Sequence, residues 1–276
     1  MGDFHIHWEI AAQLVMLEAA YLLAIGPLRY RFVYPEVVRP SRGRAWLFSL
    51  GVFVIFLAEA TPIHELSEQF LFSVHMTQHL LLVMLAVPLL MLGTPAWLVR
   101  PLYHHPLVGP LLRWGTRPLI ALVLFNSTLA AWHLPQLYDW TLWSHNAHIL
   151  EHVTFMGTAV LMWWPILSPL PELPRLTYPL QILYLFVQSL VPGVLAALLT
   201  FADRVIYPTY GAAPRITSLD PVADQALGGL IMKIAGTVML WALATVIFFI
   251  WANRDERDPG AEEHSLHAQP SRHREA

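Results

Sequence analysis

Two stretches of the chain repeat one device. In HMTQHLLL, His75 and His79 stand four residues apart, and in HILEH, His148 and His152 do the same. On a helix this spacing puts both imidazoles on one face, about a turn apart. Each pair can then address a single ion lying between its helix and a neighbour. His133, in WHLP, and His64, in the polar stretch before His75, are further donors of the same kind. Met156, four residues beyond His152, would carry that face one turn deeper with a thioether. Imidazole suits copper, zinc, iron and nickel, and thioether shifts a site toward Cu(I). With no cysteine in the chain to compete, the donor set points to copper, as Cu(I), or to zinc. Glu59 and Glu151 stand where a carboxylate could orient an imidazole; solvated interfacial carboxylates are the alternative.

Haem b competes for the same histidines, since a bis-histidine haem takes one donor from each of two facing helices. The members of one pair are only about 6 Å apart along a helix axis. That is too close for two stacked haems, so a small ion or a dinuclear centre uses the duplication better. Other chemistry is thin. The chain has no glycine-rich phosphate loop and no Gly-x-Ser-x-Gly, and His64-Glu65 is followed by Leu and Ser rather than completing His-Glu-x-x-His. His5, His7, His145 and the late His264, His267 and His273 read as interfacial or solvated residues without a role. Gly228, Gly229 and Gly236 in GGLIMKIAG read as close helix packing, and Lys233 as a snorkelling cation reaching toward Asp224.

The elements that must position these donors are set by composition. The chain has 276 residues, 56% of them apolar and 13% charged, against about 25% charged in a soluble domain. The excess lies in seven blocks, 9–28, 45–61, 70–92, 117–133, 147–168, 179–201 and 228–251, each long enough to cross a hydrocarbon core about 30 Å thick. None alternates in the manner of a barrel strand. The expectation is an all-α polytopic membrane protein: a seven-helix transmembrane domain over 1–251 and a disordered tail over 252–276. Pro88, Pro165 and Pro192 are expected to kink their helices. Basic residues in alternate loops divide thirteen to two, which places the N-terminus outside and the C-terminus in the cytoplasm. The first block lacks a basic leader and a small-residue cleavage site, and reads as a retained helix. A net charge of −3 offers no field for nucleic acid; the lipid bilayer is the expected partner, and self-association is left open.

The motifs also resemble a known family. HMTQHLLLVMLAVPLLMLGTP, WHLPQLYDWTLWSHNAHILEHVTFMGTAVLMWWPIL, LLTFADRVIYPTY and DQALGGLIMKIAG, in that order between Phe70 and Gly236, are similar to the CtaG family of seven-helix bacterial cytochrome c oxidase assembly factors. The resemblance implies a place in the bacterial cytoplasmic (inner) membrane, cytochrome c oxidase subunits as partners, and copper handling at the outer face without enzymatic turnover. The family's histidines fall on His75, His79, His133, His148 and His152. The chain departs from the family at Lys233 and Ala235, where Trp and Pro are usual. A haem b quinol oxidoreductase and a metal-free assembly scaffold are the alternatives.

Overall fold

The computed structural model describes residues 6–31 and 40–256. The helices are α1 (Trp8–Ile25), α2 (Arg42–Glu59), α3 (Pro62–Gln69), α4 (Phe72–Leu80), α5 (Val87–Gly93), α6 (Ala96–His104), α7 (Val108–Gly115), α8 (Pro118–Trp132), α9 (Pro135–Trp143), α10 (His145–Leu167), α11 (Tyr178–Gln188), α12 (Leu190–Thr200), α13 (Pro208–Ala212) and α14 (Pro221–Asp255). No strand occurs among the described residues.

Four stretches are long and apolar enough to cross a bilayer: Trp8–Ile25, Phe72–Gly93, Tyr178–Thr200 and Pro221–Asp255. Two bent pairs, α2 with α3 at 47° and α7 with α8 at 90°, bring the number to six. The expected seventh, α10, has the length at 23 residues but falls outside this set. Its first eight residues include three histidines, an asparagine and a glutamate. Large apolar side chains such as Leu119, Phe249 and Trp241 are exposed at 76%, 59% and 51%, as a surface facing lipid requires. The chain is a multi-pass membrane protein.

Local chemistry sets the helix ends. Asp220 caps α14, accepting from the backbone of Val222 and Ala223 at 2.9 and 3.0 Å, with Pro221 at the first position. This helix therefore starts seven residues before the expected 228 and runs to Asp255, over the first four residues assigned to a disordered tail. The remainder of that tail from 257, with His264, His267 and His273, lies outside the described residues, as does His5.

Phe72–Gly93 is the most enclosed candidate span, 56% buried against 17–28% for the other three, and it packs between α2, α10 and α14. Its middle, Leu81–Ala86, is π-helical, and Pro88 supplies a reason. The Val87 amide bonds Leu82 O, five residues back. In that register the next donor would be Pro88, which has no N–H to offer Val83 O. Trp163 of α10 fills the gap, its indole N–H donating to Val83 O at 2.8 Å. One proline thus widens the helix and ties it to α10 just below His79. Gly229 allows the close crossing of α14 on α12: a Cβ there would lie 2.8 Å from Ala196 O and from Thr200 N.

Candidate metal centre

The N-terminus of α4 is capped from another helix. Leu71 offers no side-chain acceptor. Asp224 of α14 instead accepts from the amides of Phe72 and Ser73, at 2.8 and 3.3 Å, and from Ser73 Oγ at 2.5 Å. Asp224 is thereby occupied, and Lys233 points outward as an exposed side chain, so the expected reach of Lys233 to Asp224 is not made. Gln78 fixes α4 against its other neighbours. Its amide donates to Ala58 O at 2.9 Å and Glu59 at 3.2 Å, and its carbonyl accepts from Ser67 Oγ at 2.8 Å. Tyr210 donates to Ser67 O, and Tyr207 to His133 O at 3.1 Å. Burial pushes both phenols above their ordinary range, keeping them protonated donors.

Between these braces the histidines and three glutamates form a ladder. His75 Nε2 and His79 Nε2 face one another at 2.6 Å, one donating to the other. Glu151 Oε1 lies 4.0 and 3.7 Å from the same two nitrogens. His152 Nδ1 bonds Glu59 at 3.1 Å, and His148 Nδ1 lies 3.1 Å from Glu68. His64 lies between two carboxylates, 3.5 Å from Glu59 and 3.6 Å from Glu68. Three groups could each hold an ion, with potential ligand atoms all within 4.8 Å of one another: His64–Glu68–His148, His148–Glu151–His152 and His75–His79–Glu151.

The tautomers make this chemistry specific. His152 turns Nδ1 to Glu59, His133 turns its own to Leu129 O at 2.8 Å, and His148 Nδ1 faces Glu68. With an acceptor facing Nδ1, all three Nε2 atoms are buried without a hydrogen-bond partner. A buried acceptor without a donor costs about 1–3 kcal/mol. Imidazole held by a carboxylate or carbonyl at one nitrogen and bare at the other is the arrangement of metal-binding histidine. The residues fit a first-row ion with one adjustment. Two nitrogens bound at about 2.0–2.1 Å in a tetrahedral site stand about 3.3 Å apart, so the His75–His79 contact must open slightly.

The two pairs do not close on one point. Among the described residues no group within 4.8 Å contains His75, His79, His148 and His152 together. Glu151 stands between the pairs, and the nearest approach of rings across them is His79 to His152, centroids 5.5 Å apart. His64 joins the ladder. His133 lies outside the three groups and lines an apolar cavity shared with His79, Met76 and Met232. Met156 is partly buried among apolar side chains. His7, expected to be without a role, sits against the ladder, its ring 4.9 Å from that of His64 and its Nε2 3.8 Å from Glu65. The reason is that α1 begins where α2 ends, the His7 amide donating to Ala60 O at 3.1 Å. Glu68 is not among the donors expected from the sequence, although His64 and Glu68 carry the same four-residue spacing as the histidine pairs. His145 remains exposed.

The description cytochrome c oxidase caa3 assembly factor matches residues 19–254. The chain belongs to this family. The match extends the resemblance of the central motifs to α2 and to nearly the whole of α14. Uncharacterized proteins of Mycobacterium bovis and Mycobacterium tuberculosis are each 27% identical over 276 residues, covering 92% of this chain and 40% of theirs. One of Mycobacterium leprae is 27% identical over 209 residues, 68% of this chain and 31% of its own. The chain thus spans about 40% of the length of the first curated relatives it matches. No solved structure matches.

Proposed function

We propose that this member of the caa3 assembly-factor family helps to mature a haem–copper cytochrome c oxidase by holding copper in the His–Glu ladder and passing it to an apo-oxidase subunit. The observation that carries the reading is the set of buried Nε2 atoms without a partner on His133, His148 and His152, each with an acceptor facing its Nδ1. Imidazole and carboxylate donors suit a divalent ion, so copper as Cu(II), with zinc as competitor, matches the three groups better than Cu(I). The thirteen-to-two division of basic residues supports a ladder at the outer face of the cytoplasmic membrane, and the length of α10 supports a seventh span. Every donor in the ladder is an exchangeable nitrogen or oxygen, which suits a protein that must release its cargo. The test is elemental analysis of protein purified after copper or zinc loading, alongside oxidase maturation in cells. His75→Ala with His148→Ala is expected to lose both the metal and maturation; maturation intact without the histidines refutes the reading in favour of a scaffold.

A haem reading draws on one observation, the apolar cavity bordered by His79 and His133. A Soret band in the purified protein would favour it over copper.

A further inference from the structure

The three His–Glu groups are not separate sites. Consecutive groups share a residue: His148 belongs to the first and second, Glu151 to the second and third. The ring centroids run in short steps, from His7 to His64 at 4.9 Å, to His148 at 5.2 Å, to His152 at 4.2 Å, to His79 at 5.5 Å and to His75 at 4.4 Å. The two ends of the line differ in enclosure. The Glu68 side chain is 26% exposed and that of His7 18%, whereas those of Glu151 and His75 are 1% and 0% exposed.

We propose that the groups are successive stations of one path for a divalent transition-metal ion, loaded at His64–Glu68–His148 from a mouth formed by His7 and Glu65, and ending at His75–His79–Glu151. The proposal rests on the metal-binding reading above and adds direction and order to it. Bare release of an ion between stations would expose it to an apolar surround, at a prohibitive desolvation cost. Shared ligands remove that step. An ion leaving the first station keeps His148 while it gains Glu151 and His152, then keeps Glu151 while it gains His75 and His79. Each move exchanges ligands one at a time, with carboxylates distributed along the line to offset the cation's charge. The i,i+4 histidine pairs supply the pitch, since one helical turn matches one step.

The test uses the full-length protein in lipid nanodiscs, mixed rapidly with Co(II), whose visible absorption reports its ligands. The wild-type protein is expected to load in two phases, a fast one at the outer station and a slower one at the inner. Glu68→Gln, which takes a carboxylate ligand from the outer station, should weaken the fast phase and slow the second about ten-fold or more while leaving its final spectrum. His7→Gln, outside all three groups, should slow loading and leave both spectra. His75→Gln with His79→Gln should abolish the slow phase and spare the fast one. An unchanged inner loading rate in both Glu68→Gln and His7→Gln, or loss of both phases in the folded inner double variant, overturns the path while metal binding stands. A wild-type protein that takes up no ion at all removes the metal-binding reading itself.

Discussion

Replacing Glu59 by glutamine tests the electrostatic logic of the ladder without removing any ring. Glu59 Oε1 accepts from His152 Nδ1 at 3.1 Å and from Gln78 Nε2 at 3.2 Å, and Oε2 faces His64 Nδ1 at 3.5 Å. Across that hydrogen bond, the imidazole ring and a metal–nitrogen bond, the carboxylate charge lies about 7 Å from an ion on His152 Nε2, worth about 5 kcal/mol for a divalent ion at an effective dielectric near 20. Glutamine keeps an oxygen for His152 but loses the charge, and the amide dipole recovers part of the difference. Supporting groups of this kind cost about 10- to 100-fold in affinity when removed. We therefore expect Glu59→Gln to weaken copper binding about 100-fold, about 2.7 kcal/mol, measured by competition against a chelator of known affinity. Glu172→Gln, which disturbs only the Arg100–Glu172 pair beyond the far end of α10, should leave affinity unchanged. Equal affinities for wild type and a folded Glu59→Gln would refute the argument that carboxylates charge and orient the imidazoles.

Copper affinity should fall toward acid pH, because protons compete with the ion for the imidazole and carboxylate donors; titrations between pH 8 and pH 5 read this, and an affinity that rose toward acid would refute ligation by these groups. Asp224→Ala removes three hydrogen bonds to the start of α4 and leaves two buried amides open, so a loss of about 3 kcal/mol or more is expected, seen as a lowered thermal midpoint in detergent. Gly229→Ala forces a methyl group against the backbone of α12 and should cost about 1–3 kcal/mol by overpacking without altering metal affinity per folded molecule.

Much of the architecture was legible in the sequence because the bilayer leaves few choices. Apolar blocks of sufficient length must be helices, since no other backbone satisfies its own polar groups in lipid. The i,i+4 histidine pairs, the glycines of α14 that meet α4 and α12 and the family motifs are likewise local patterns that survive without coordinates. What the sequence could not fix is which side chains meet across elements. His7 is 57 residues from His64 in the chain, and only the docking of the α1 start against the α2 end brings their rings together. Glu59 and Glu151 read equally as interfacial acids or as partners of an imidazole until the turn from α2 into α3 and the packing of α10 fold them, with Glu68, between the rings. The same tertiary packing turns two histidine pairs that spacing alone would aim at one ion into a ladder, because Glu151 occupies the space between them. Local spacing determines the face on which a donor lies; packing decides what that face meets, and hence whether a nitrogen is a hydrogen-bond donor, a bare ligand or a step toward the next.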